Sequence, residues 1–236
     1  MKREISLEAF TDGKLYTKND MVKVGCGDCR DCCDCCQGMG DSIVLDPYDI
    51  HQLTTNLHLP LEELLSRYLA LHVVDGIILP SIKLVSAQAM VNAGSEIAAD
   101  SMQAVEVCPF LNHMGRCSIH TFRPGFCRLF PLGRYYVNGT FQYILQNHEC
   151  PKENKTKIKV QKWLGISNLR SYENFVNIWH YFLVDMEALL ETSQDEAEKK
   201  TLNLYLLNTF FKTSYSTNDF YGEFQERLTK AKSILL

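Results

Sequence analysis

The spacing of apolar and polar positions changes character several times along the chain. Residues 14–26 (KLYTKNDMVKVGC) place apolar residues on both sides of a polar break, which predicts a short strand or hairpin. Residues 25–41 carry almost no apolar period and are rich in Gly, Asp and Cys, a composition that makes turns. At Asp46-Pro47 a helical period begins, with Asp46 as N-cap, Pro47 at the first helical position, and Ile50, Leu53 and Leu57 on one face. Pro60 precedes a second helix, expected from Leu61 to about Leu71, with Leu61, Leu64, Leu65 and Tyr68 at i, i+3, i+4 and i+7.

The period then shortens. Residues 73–86 (VVDGIILPSIKLVS) read as strands broken at Asp75-Gly76 and at Pro80. Residues 87–104 are Ala-rich and weakly patterned, a loop or a helix. VEVCPFL, RCSIH and GRYYVNGTFQYILQ form a β segment, in which Asn138-Gly139 marks a two-residue hairpin turn. Five lysines between 152 and 162 predict a linker or a solvated helix face. From Tyr172 onward the period is helical. Trp179, Phe182, Leu183, Met186 and Leu190 share a face, as do Leu202, Tyr205, Leu206 and Phe210, and then Phe220, Phe224, Leu228 and Leu235. These stripes read as core, although a dimer surface would have the same period. The fold class is therefore α+β: a small cysteine-rich antiparallel β/loop core with flanking helices over 1–151, followed by an all-α extension over 152–236.

Charge narrows the function classes. The net charge is −4 over 236 residues, with no basic bias, so no nucleic-acid partner is expected. The N-terminus MKREISLEAFTDGK has no apolar signal core, and no apolar run is long enough for a membrane span. A cytoplasmic location, without a membrane partner, is the expectation. G-x-G-x-x-G, G-x-x-x-x-G-K-[ST] and G-x-S-x-G do not occur, which removes the common nucleotide and serine-hydrolase signatures.

The candidate chemistry lies in the cysteines. Cys26, Cys29, Cys32, Cys33, Cys35 and Cys36 fall in the string CGDCRDCCDCC. Cys108, Cys117, Cys127 and Cys150 follow, for ten in all. In a reducing compartment such thiols stay free, and neighbours such as Cys32 and Cys33 bridge only with strain, so metal ligation is preferred over disulfides. Four thiolates saturate one tetrahedral zinc or one four-iron cluster, so ten suffice for one or two centres. Because the two groups are far apart in sequence, a shared centre would tie the loop to the β segment and couple metal binding to folding.

CxxCxxCC at 26–33, C-P-F-L at 108–111, G-x-C-x-I-H at 115–120 and R-P-x-x-C-R-x-F-P at 123–131 together resemble the YkgJ-type cysteine-cluster family. That resemblance covers roughly 20–151 and implies an intracellular zinc- or iron-chelating domain. Flagellin lysine N-methylases are similar in the same motifs, which implies S-adenosylmethionine as a further cofactor and a protein as substrate. The chain departs from the pattern in Cys35, Cys36 and the helical tail. Two other iron–sulfur spacings occur in the same loop. Cys26, Cys29, Cys32 and Cys36 fit the ferredoxin run, but Gln37 stands where proline should follow; Cys29, Cys33 and Cys36 fit the radical S-adenosylmethionine run. An iron–sulfur cluster, of the four-iron kind, is preferred over zinc.

Arg123 and Arg128 flank Cys127 and are candidate cofactor-binding residues, able to donate to sulfur, offset cluster charge or hold a carboxylate. His113, His120 and His148 lie near cysteines; His120 is the best placed, but the thiolates already suffice and the imidazoles are read as structural. Metal binding is the expected function, with a methyltransferase-like enzyme or an electron carrier or metal-delivery module as the alternatives.

Overall fold

The computed structural model describes residues 7–27, 32–86, 106–216 and 218–236. The architecture is α+β, with small sheets and a helical C-terminal region. Its compact units are assembled from non-consecutive stretches. One contains the chain up to Ile43 and from Ile82 to Leu169, and the other contains Val44–Ser81 and Arg170–Leu236.

In the first unit, β1 (Thr11–Tyr16) and β2 (Met21–Gly25) lead to the cysteine loop, where the sequence predicts a short strand or hairpin. They do not pair with each other. β1 joins β8 (Thr140–Gln146), which pairs antiparallel with β7 (Leu132–Val137) in the order β1-β8-β7. Asn138 and Gly139 both have positive φ, 51° and 77°, the signature of the tight type I′ turn expected there.

β2 pairs antiparallel with β9 (Thr156–Lys159). The lysine-rich segment is thus in part a strand, where the sequence predicts a linker or helix. Its lysines point outward while Ile158 faces Val22, and alternation over only four residues is too short to stand out from the charge. Gly25 is required at this junction. A Cβ there would collide with the Thr156 hydroxyl and lie 3.1 Å from the Thr156 carbonyl oxygen. Val22, Val24, Val160 and Leu164 are fully buried beneath this pair.

The second unit begins with the helix Pro47–Leu57. Asp46 caps it by accepting from Asp49 N at 2.9 Å, and Asp49 returns the bond to Asp46 N at 3.1 Å. The next helix is shorter than expected, Leu61–Arg67. Tyr68 ends it, and β3 (Leu69–Val74) starts at Leu69 because the chain there alternates buried and exposed positions. β4 (Ile77–Ile82) follows the Asp75-Gly76 turn and runs through Pro80 without a break. Pro80 is tolerated because its carbonyl is what the neighbouring segment uses, accepting from Leu45 N at 2.8 Å.

Helices Leu169–Thr192, Glu196–Leu206 and Phe220–Leu235, with a π-helical turn at Leu207–Lys212, complete this unit. Their apolar stripes meet as an aromatic core: Phe175 lies 4.7 Å from Phe224 and 5.2 Å from Phe220 between ring centroids, both edge-on. Buried Asn203 donates to Gly76 O and accepts from Ile78 N, so it satisfies the β3–β4 turn. Residues 87–104, read from sequence as a loop or helix, lie outside the described residues.

Candidate metal centre

Three stretches of the first unit build the site. The first is the loop 32–38, which makes a short 3-10 turn at Asp34–Cys36 closed by Cys36 N to Cys33 O at 2.7 Å. The second is joined to it by backbone pairing. β6 (Glu106–Val107) pairs with β5 (Val85–Ser86), and Val107 also bridges Gln37. Cys108 N donates to Cys36 O at 2.8 Å, and Gly38 N to Glu106 O at 2.9 Å. These bonds set Cys36 and Cys108 side by side although they are far apart in sequence. Val107 and Leu111 lie beneath, packed by Cys33, Cys36 and Val85.

Beyond Cys108 the chain makes a tight knuckle. Leu111 bridges Cys117, Ser118 N donates to Phe110 O at 2.8 Å, and Asn112 Oδ1 accepts from Met114 N and Arg116 N. An Asn holding two amides in this way closes a turn that alternates poorly with helix or sheet. The third stretch is the short helix Gly125–Leu129, which carries Cys127. Arg128 anchors it: Nε donates to Arg123 O at 3.1 Å, Nη1 to Leu164 O at 3.5 Å, and Nη2 to Thr121 O. Trp163 Nε1 adds a bond to Phe130 O at 3.1 Å.

The three stretches enclose a cavity of about 450 Å³ whose wall includes Cys32, Cys35, Cys36, Cys108, Cys117 and Cys127. Arg116, His120 and Arg123 line the same space. Of the other cysteines singled out from sequence, Cys26, Cys33 and Cys150 are not on this wall. Cys33 Sγ instead accepts from Gln37 Nε2 at 2.8 Å, and Cys150 offers its carbonyl to Lys155 Nζ at 2.7 Å. Cys29 lies outside the described residues. Of the two arginines, Arg123 faces the cavity and Arg128 holds backbone. Sequence reasoning misses Arg116, whose only signal is its place directly before Cys117.

Cys32, Cys33, Cys35, Cys36, Cys108, Cys117 and Cys150 are free thiols. Their proton affinities are set by burial and by one another. Cys108, only 7% exposed, has its thiol pushed up to about 11, first by burial and then by Cys117 and Cys35. Cys117 is raised chiefly by burial. Cys32 is pushed up to about 11 by burial and by the Asp34 carboxylate, to which its thiol donates at 2.9 Å. Cys35 moves the other way, down to about 7, first through its hydrogen bond with the Cys36 thiol, 4.0 Å away, and then through the positive charge of Arg123. Cys36 is raised correspondingly, by that same bond, then by burial and by the charges of Cys35, Cys108 and Cys117. A set of thiols that suppress one another's ionisation is the state expected before a cation replaces their protons.

Among the described residues, no three His, Cys, Asp or Glu side chains stand close enough to hold a metal ion as they are. The donor set nevertheless suits a soft or borderline metal, since every candidate ligand on the wall except His120 is sulfur. A second observation agrees. Among the described residues, Arg123 Nε is buried and has no hydrogen-bond partner, which suits an anionic thiolate assembly better than neutral thiols.

A cavity walled by sulfur in a small-sheet α+β unit offers the donor chemistry of a thiolate metal site. The family model agrees in extent: it matches residues 26–151, and the chain belongs to the CxxCxxCC family, described as a "putative zinc- or iron-chelating domain". No curated protein and no solved structure matches the chain. No helix among the described residues is long and apolar enough to cross a membrane.

Proposed function

We propose that the protein holds an iron–sulfur cluster in the cavity formed by residues 32–36, 108–117 and 123–127. One observation carries this reading: six cysteines from three stretches line a single cavity of about 450 Å³. Four thiolates would complete a cluster, and the surplus leaves room for ligand choice. The cavity is larger than one tetrahedral ion with its four sulfurs requires. When bound, the cluster would supply a redox-active or substrate-binding iron centre. The chain's own part is to position the sulfurs, exclude water with Ile43, Ile82 and Phe110, and offset charge with Arg116 and Arg123.

A zinc site is the second reading, favoured by the spacing of Cys35 and Cys36. Their sulfurs lie 4.0 Å apart. Two thiolates on one tetrahedral zinc at about 2.3 Å would lie roughly 3.8 Å apart. Anaerobic purification with elemental analysis and an absorption spectrum separates the two. Iron with acid-labile sulfide and a broad visible band supports the cluster. Stoichiometric zinc in a colourless protein overturns the cluster and keeps the thiolate centre. A chain that binds neither metal overturns both.

A further inference from the structure

A sheet edge leaves backbone N–H and C=O groups unpaired, and proteins guard such edges with charged side chains, proline or bulges. The longer edge strands of this molecule are guarded in that way, with one exception. β1 carries Asp12 and Lys14, and its register shifts between Thr11 and Leu15. β2 carries Lys23, β7 carries Arg134, and β9 carries Lys157 and Lys159. β4 contains Pro80, and residues 44–45 cover its far side through the Val44–Ser81 bridge and the bond from Leu45 N to Pro80 O.

The exception is β3, in the helical unit. Leu69–Val74 reads LALHVV, with no Lys, Arg, Asp, Glu, Pro or Gly. Among the described residues it pairs with β4 alone, so its outer edge is open. The side chains beside that edge are apolar. Leu71 is 44% exposed and Val73 is 70% exposed, and no large apolar side chain among the described residues is more exposed than Val73. Two positions apart on a strand, they project from the same face.

We propose that β3 is a dimerisation edge, pairing antiparallel with β3 of a second copy of this chain. The pattern of the strand selects its own copy. A two-fold axis at His72 sets Leu71 opposite Val73 of the second copy, and Val73 opposite its Leu71, so four apolar side chains meet on one face. The two ends of the strand carry opposite charge. Arg67 precedes β3 and Asp75 follows it at the turn. Antiparallel pairing brings the Arg67 end of each copy to the Asp75 end of the other, whereas parallel pairing sets like charge against like. Arg67 also holds Glu63 at 2.9 Å, but with both side chains about half exposed that ion pair is weak in water and leaves the guanidinium able to attract a second carboxylate. Six residues against six make a small interface, so the dimer is reversible, with a dissociation constant in roughly the micromolar range.

The test is sedimentation velocity of the full chain, as purified with its metal, from roughly 1 to 500 μM, a range that brackets so small an interface. The expected result is a concentration-dependent monomer–dimer equilibrium. Val73→Lys guards the edge with a charge and should weaken the dimer by at least roughly tenfold. The substituted side chain is mostly in solvent, so the urea midpoint and metal content should not change. Amide exchange at 69–74 should slow in the wild-type chain as the dimer fills and stay fast in Val73→Lys. A monomer throughout the range, open-ended assembly in place of a dimer, a dimer as tight in Val73→Lys as in the wild type, or exchange at 69–74 that does not respond to concentration would each overturn the proposal.

Discussion

The helical unit and the cysteine unit are held together by different means. In the helical unit, Tyr172, Phe175, Phe182, Phe210 and Phe224 are each almost wholly inaccessible to solvent, and their rings interlock. Around the sulfur site, the buried apolar residues include Ile43, Ile82, Val107, Phe110, Leu111 and Ile119, with partly buried Cys33, Cys36 and Val85 packed on Val107 and Leu111. The remainder is short turns, backbone bridges and a cavity. Apolar burial is sufficient for the first arrangement at roughly 25 cal/mol per Å². The second draws its apolar residues singly from separate turns and strands and leaves thiols facing one another. On the proposed reading, the helical unit is stable by packing, whereas the loops of the cysteine unit depend on the metal centre that their sulfurs would hold.

Cysteine substitutions probe this contrast with the largest expected effect. Cys36→Ser and Cys108→Ser should each lower metal affinity by more than about 100-fold, since even residues outside the ligand set are worth ~10–100-fold. Metal titration of the two purified variants measures it. Next is metal removal. Structural zinc contributes ~10–16 kcal/mol in small systems, and a part of that size, several kcal/mol, should vanish here. Hydrogen exchange after chelation should show protection lost at amides 36–38 and 107–118, including the Cys108 N to Cys36 O bond, while amides 172–190 keep theirs.

Phe175→Ala reverses the comparison. Emptying a buried ring site should destabilise the helical unit by ~3–5 kcal/mol in urea unfolding. Metal per folded chain should stay unchanged.

The pH dependence of the metal-free protein is the next step down. Cys35 titrates low, near about 7, so its contribution is complete above the unfolded thiol value and is lost as pH falls through 7. Cys108 and Cys32 titrate high, near about 11, so theirs is complete below the unfolded value and is lost as pH rises toward 11. Cys32 is the more accessible of the two, and solvent screening reduces its share. Stability should therefore peak near about pH 9, with limbs of a few kcal/mol, since a tenfold difference in proton affinity between the folded and unfolded chain is worth ~1.4 kcal/mol. Bound metal keeps the folded thiolates deprotonated, so it should remove the alkaline limb and steepen the acid one, where only the unfolded chain takes up protons; urea midpoints across pH, with and without metal, measure this. The smallest effect is expected from Asp46→Ala. Loss of the cap should cost ~1 kcal/mol in the helical unit and leave the sulfur site unaffected.

Much of the fold was legible where a residue's role is local. Asp46-Pro47 announced a capped helix, Asn138-Gly139 a type I′ turn, and the Trp179, Phe182 and Met186 stripe a buried helix face. Features decided by tertiary partners were not legible. Pro80 reads as a break but lies inside β4, because the sheet uses its carbonyl and not its missing N–H. Thr156–Lys159 reads as solvated charge but is the partner that β2 needs. Asn203 gives no periodic signal at all, yet it satisfies the Gly76–Ile78 turn.

At the site, the residue type was legible and the grouping was not. Cys35 and Cys36, which depart from the family pattern, lie on the cavity wall, whereas Cys33 within the pattern packs beside Val107. Spacing shows that sulfurs are close in sequence, and turns decide which way each one points. Arg128 illustrates the same limit, since three backbone carbonyls claim its guanidinium while Arg123 faces the sulfurs.

The central claim is that sulfurs from the loop at 32–36 and from the segment at 108–127 serve one centre. Metal stoichiometry of anaerobically purified Cys36→Ser, Cys108→Ser and the double variant tests it most directly. The account predicts that either single substitution removes the same metal, and that the double variant loses no more than each single one. Additive, separate losses, or full metal retained in either single variant, would contradict it.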